Sequence, residues 1–206
     1  MVTELLRHIF PRIVRAGDLR LTYTFCLGGL AFTALLSLVA SGMLLLFYYQ
    51  PSPEAAYSSI LFLETHVSAG AYLRSLHRLA SHALLVLLAL HTLRVILTGA
   101  FLDPRRMNWV VGCLLGFCVV AQAYTGYLLP MDQLAFWATE TGMELLRTLP
   151  FGNSLRAVLV PDEVGGVLSL LRFYALHIAV LPLALLSLSM VHFFVIRRQK
   201  GLLPYL

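Results

Sequence analysis

His77, His91, His177 and His192 are the residues of this chain whose type and spacing could do chemistry. All four lie in apolar stretches, "LRSLHRLASHALLVLLALHTLRV" and "RFYALHIAVLPLALLSLSMVHFFVIRRQ". The first two are 14 positions apart and the second two 15. At ~100° per residue, both steps return to within roughly 40–60° of the starting face of a helix, about 21–22 Å along its axis. Each stretch thus offers two imidazoles on one face at two depths. Ionisable groups inside a membrane are functional by default. Zinc asks for four gathered ligands, and no third or fourth Cys, His or carboxylate stands at either depth. Haem iron takes four nitrogens from the porphyrin and asks the protein for only two. The pattern predicts two b-type haems with bis-histidine ligation, His77 with His177 and His91 with His192. Hydrogen bonding to neighbours would explain one such histidine, but not four in matched register.

These ligands need helices to hold them, and the composition supplies membrane helices. The chain has 206 residues, 59% hydrophobic and 12% charged. A soluble fold of this size could not hide that much apolar surface. Four windows, about 24–48, 76–98, 109–129 and 170–195, meet the ~20-residue length of a membrane span. The expected fold is all-α, a transmembrane four-helix bundle enclosing two stacked haems. Residues 1–206 form one membrane domain, and residues 1–20 read as an amphipathic segment on the membrane surface rather than a signal peptide.

The charges place the ends. Arg7, Arg12, Arg15, Arg20, Arg105, Arg106, Arg197, Arg198 and Lys200 fall on one side of a four-span bundle. Glu54, Glu64, Asp132, Glu140, Glu144, Asp162 and Glu163 fall on the other. The positive-inside rule puts both termini in the cytoplasm and the 130–169 segment outside, an integral multi-pass protein of an energy-conserving membrane. The net charge of +5 is therefore topology and implies no nucleic-acid partner. Cys26, Cys113 and Cys118 all lie within spans, which argues against a disulfide framework.

A flat macrocycle between helices needs room. Gly28 and Gly42 on the first span are 14 apart, as are Gly112 and Gly126 on the third, repeating the histidine interval. Lacking Cβ, glycine lets a backbone come close to a bulky neighbour. Small-residue helix packing, as in "GCLLG", is the plainer reading of the same residues. Arg74, Arg78 and Arg94 stand within three positions of ligand histidines, and Arg197 lies at the inner end of the fourth span. They could pair with haem propionates or snorkel to lipid headgroups.

The motifs "LRSLHR", "LHTLRVILTGAF", "PRRMNWVVG", "TGYLLPMDQ" and "RFYALH…MVHFFVIRRQ" resemble cytochrome b of the quinol-oxidising bc complexes. The 15-residue step and "FCLGG" are similar to the short split form, cytochrome b6 of b6f-type complexes. The resemblance covers nearly everything from about residue 20. It implies that the first histidines of the two helices hold the outer haem and the second pair the inner one. It implies that Cys26 carries a third haem through a single thioether, beside the inner haem and with no protein axial ligand. Cys113 and Cys118 match nothing and read as packing.

The resemblance further implies that the end of the third span and the following segment, with Tyr127, Pro130 and Asp132, form one wall of an outer quinone site. Two departures stand out. Met131 replaces the Trp of the family's "PWDQ", and the family's "PEWY" element is missing. A subunit IV-like membrane partner is therefore expected to supply it, together with a Rieske iron–sulfur protein and a cytochrome c-type subunit in a dimeric complex. The implied role is an electron-carrying subunit of a quinol oxidoreductase, inactive alone, passing electrons between outer and inner quinone sites with proton translocation. The alternative is a dihaem anchor linking the quinone pool to a peripheral dehydrogenase or multihaem cytochrome. His82, five positions beyond His77, falls about 140° round the helix and away from the haem face.

Overall fold

A computed structural model of the chain describes residues 26–199. The amphipathic reading of residues 1–20 lies outside the described residues, as does Lys200. Every regular element described is helical: α1 Leu27–Leu45, α2 Ala56–His66, α3 Gly70–Leu97, α4 Arg106–Leu128, α5 Gln133–Arg147, α6 Gly152–Leu159 and α7 Val167–Ala175. α7 runs through a π-helical turn, Leu176–Val180, into α8, Leu181–Gln199. Four rods are long and apolar enough to cross a membrane: α1, α3, α4 and the continuous α7–α8.

The helix ends differ from the apolar windows. α3 has 28 residues and starts at Gly70, so it is about 42 Å long at 1.5 Å per residue against a hydrocarbon core of ~30 Å. Its first turns, with Tyr72 and Arg74, continue a helix that a hydropathy window cannot see beyond its apolar part. α2 is too short to span at 11 residues and lies between α1 and α3. The turn from α2 into α3 depends on Gly70, where a Cβ would meet the Leu63 carbonyl oxygen at 1.9 Å.

Packing divides the bundle into two halves. α1 runs along α3, and α4 along α8, while contact between the halves is sparse. They meet in a layer of Leu35, Leu84, Val119 and Leu185, one from each rod and each no more than 6% exposed. Leu35 is seven residues from both Gly28 and Gly42, Leu84 seven from both His77 and His91, and Val119 seven from both Gly112 and Gly126. The aliphatic layer therefore sits midway between the two histidine levels. Lipid is as apolar as leucine, so close packing, not exclusion of water, holds the layer together.

At the acidic end, α5 and α6 lie over the bundle, and Leu128, Met143, Val160 and Phe173 form a second buried cluster beneath them. Asp132 caps α5, its carboxylate accepting from the Ala135 N–H at 2.8 Å. Asp162 accepts from the Leu168 N–H at 2.9 Å and from the Ser169 hydroxyl at the start of α7. That hydroxyl holds the Asp162 carboxyl below its usual range.

The π-turn has a cause in the sequence. Pro182 has no N–H to give the carbonyl four or five residues before it, and its ring crowds the preceding turn. The Leu181 N–H bonds the Leu176 carbonyl, a wider step than an α-turn makes. One residue is absorbed. Fifteen positions from His177 to His192 therefore turn the chain about as far as fourteen do in α3, and both histidine pairs keep their face.

Candidate functional site

At the acidic end the rings of His77 and His177 face each other across the gap between the halves. Their centroids are 6.3 Å apart and their planes meet at 70°. A metal bonded to one nitrogen of each at about 2 Å, with ~1 Å more to each ring centre, requires roughly 6 Å. Each ring is anchored from behind. Ser41, 3% exposed, donates its hydroxyl to the Ser37 carbonyl at 2.7 Å. Its oxygen then accepts from His77 Nδ1 at 2.8 Å. His177 Nδ1 lies 3.1 Å from the Gln122 carbonyl and 3.2 Å from Thr125 Oγ1. These bonds place the proton on Nδ1 and leave Nε2 as the free ligand atom of each ring.

At the basic end His91 and His192 lie within electrostatic reach of one another. His192 Nδ1 is buried and makes no hydrogen bond of good geometry, although the Asn108 backbone carbonyl lies within its reach. No hydrogen bond to the His91 ring occurs among the described residues.

The four glycines each back one histidine. A Cβ at Gly42 would lie 3.3 Å from His77 Cε1, at Gly28 3.2 Å from His91 Cε1, and at Gly112 3.4 Å from His192 Cε1. At Gly126 it would lie 2.4 Å from His177 Cε1, closer than any real Cβ contact. The matched intervals thus arise from contact: α1 glycines carry α3 histidines, and α4 glycines carry those of α7–α8. A methyl at Gly126 would displace the His177 ring, whereas at Gly28, Gly42 or Gly112 the imidazole would have to give by only a few tenths of an ångström. Among the described residues no three His, Cys, Asp or Glu gather as a multi-ligand metal site would need. A two-ligand macrocycle fits the donor set.

Of the arginines, Arg74 pairs with Glu64, Arg78 is exposed, and Arg94 and Arg197 are half-buried in the last turns of α3 and α8. Cys26 is exposed at the start of α1, two residues before the glycine that backs His91. Its backbone adopts the left-handed conformation, φ 51°. Pro130 and Asp132 line a cavity of about 180 Å³ with Tyr57, Glu64 and Arg74, whereas Tyr127 is exposed on α4. Met131 takes φ 50° where α4 gives way to α5. His82 is exposed, and His66 stacks on Phe62 at 5.1 Å.

Sequence reasoning missed Ser41, Gln122 and Thr125. A signal was present: Ser41 and Thr125 immediately precede Gly42 and Gly126, while the basic-level glycines follow Leu27 and Val111. It also missed Tyr49, whose hydroxyl donates to the Leu129 carbonyl at 2.7 Å and ties the end of α1 to that of α4.

The family profile described as "Cytochrome b/b6/petB" matches residues 15–200. The cytochrome b subunit of menaquinol:cytochrome c reductase from Geobacillus thermodenitrificans is 38% identical over 194 residues, 93% of this chain and 87% of that protein. Its counterpart from Bacillus subtilis is 37% identical over 97% of this chain and 90% of that protein. Cytochrome b6 of Heliobacterium mobile is 40% identical over 85% of this chain and 83% of that protein. Among solved structures, a chain of a "Hyperthermophilic respiratory Complex III" superposes with a TM-score of 0.81 at 26% identity. That match covers 96% of this chain but spans only about half, 52%, of the matched subunit.

Proposed function

The chain belongs to the cytochrome b/b6 family, membrane subunits of quinol-oxidising complexes of the bc and b6f type, and from that premise we propose that it carries electrons across the membrane between two quinone sites. The observation that supports this most is the facing of His77 and His177 at 6.3 Å, each ring backed by a glycine and anchored through Nδ1. Haem bound there and at His91/His192 would supply one-electron transfer. The chain's own residues fix the ligand nitrogens, hold the two levels apart with the Leu35–Leu84–Val119–Leu185 layer, and keep both levels inside hydrocarbon. Arg74, Arg78, Arg94 and Arg197 sit near the haem levels as partners for propionates.

The acidic end is the outer face and both termini are cytoplasmic, as the distribution of cations supports. Pro130 and Asp132, in the cavity beside Arg74, form part of the outer quinone site; Tyr127 lies on the adjacent surface of α4. A second membrane subunit completes that site, and an iron–sulfur protein and a cytochrome c-type subunit take the electrons leaving outward. Cys26 carries a third haem through one thioether, supported by its exposure beside the His91/His192 level.

Purification of the native complex tests the reading. Redox difference spectra should show two low-spin b haems of unequal potential, and subunit identification should recover the iron–sulfur and second membrane subunits. Molybdenum or multihaem partners instead would contradict quinol bifurcation. Acidified acetone should leave one haem on the polypeptide, seen as a peroxidase-active band on a denaturing gel and lost in Cys26→Ser. A colourless band would return the count to two.

A further inference from the structure

Three polar contacts join Gln122 of α4 to His177: two are hydrogen bonds in opposite directions, and in the third Gln122 Nε2 lies 3.2 Å from His177 Nδ1, two donors side by side. Gln122 Nε2 donates to the His177 carbonyl at 2.9 Å, and the Gln122 carbonyl accepts from His177 Nδ1 at 3.1 Å. The first bond exists because of the π-turn. Leu181 gives its N–H to Leu176, and residue 182, next in the π-ladder, is proline. The His177 carbonyl therefore has no donor in its own helix, and such a group in hydrocarbon must find one elsewhere. Only the amide nitrogen can face a carbonyl at that distance, so the side-chain orientation is settled by chemistry. Gln122 Oε1 is left buried and unpartnered in the described structure. A leucine would fill the space without that cost. What offsets that cost is the bond the amide nitrogen makes to the His177 carbonyl.

We infer that Gln122 is a positioning residue for the acidic-end haem, fixing the plane and hydrogen bonding of the His177 ring through this reciprocal pair of bonds. The inference rests on the bis-histidine reading above. An Nδ1–H that donates to a carbonyl makes the ring a stronger electron donor and stabilises the oxidised metal. Releasing the amide lets the ring turn and weakens the Nδ1 bond. At the basic end the Asn108 carbonyl faces the His192 ring only loosely, and no side-chain hydrogen bond from Asn108 to His192 occurs among the described residues. Gln122 thus holds the acidic-end haem at a lower potential than its ligand set alone would give.

The test is Gln122→Met in the whole complex, which keeps side-chain length and removes the donor. The acidic-end haem should become easier to reduce by roughly threefold to tenfold, up to ~59 mV for a one-electron couple. Its low-spin electron paramagnetic resonance signal should move as the angle between the imidazole planes changes. The basic-end haem, measured in the same sample, should keep both values. Gln122→Asn, too short to reach the His177 carbonyl, should do the same and serves if the methionine variant fails to assemble. Unchanged potential and signal of the acidic-end haem, or equal shifts of both haems, would overturn the inference. A wild-type complex without low-spin haem would instead overturn the haem reading on which it stands.

Discussion

The glycines behind the histidines differ in how much room they leave, and Gly126 leaves the least. Gly126→Ala would place a methyl 2.4 Å from the imidazole, whereas Gly112→Ala would place one 3.4 Å from His192. We expect Gly126→Ala to lose most of the acidic-end haem and Gly112→Ala to keep most of the basic-end haem, read from b-band amplitudes in redox-resolved spectra. Equal losses would mean that the glycines serve helix packing generally. Ser41→Ala should raise the potential of the acidic-end haem, and Ser41→Thr, which keeps the hydroxyl beside His77, should restore it; a shift with threonine as large as with alanine would remove Ser41 from the account. That the histidines share a face and lie against the glycines was legible in the sequence because their interval repeats on separate spans. Ser41 and Gln122 were not, because each acts on a histidine of another helix, 36 and 55 positions away. A one-dimensional pattern carries periodicity, not the partner across a gap.

Among elements, the spans were legible and their ends were not. Hydropathy registers the apolar middle of α3 but not its extension to Gly70, and α2 is too short and too mixed to stand out. The 15-residue step between His177 and His192 was visible, but its accommodation needed the π-turn that Pro182 imposes. Phase along α8 is therefore a sharp variable. One alanine inserted after Leu183, an exposed position, should rotate His192 by ~100° relative to His177 and abolish the basic-end haem while sparing the other. The same insertion after Leu102, in the connection between α3 and α4, should leave both haems in place. Retention of both haems in the first variant would mean that helix phase does not set ligation.

For the whole molecule, sparse contact between the α1–α3 and α4–α8 halves leaves their shared layer and the two histidine levels to join them. Bound haem would then be structural cement as well as a carrier, and apo complex should come apart into halves more readily than loaded complex. Topology is testable separately: Asn153→Cys, exposed on α6, should react with an impermeant thiol reagent from outside, and Arg105→Cys only from inside. The reverse labelling would invert the bundle. The most direct test of the central claim is the pattern of haem loss across the four single His→Ala variants of the whole complex, resolved by redox titration. His77→Ala and His177→Ala should remove one and the same haem, about half of the b-type absorbance. His91→Ala and His192→Ala should remove the other. Full haem content in any of the four, or a shared loss between His77 and His192, would contradict the pairing across α3 and the continuous α7–α8.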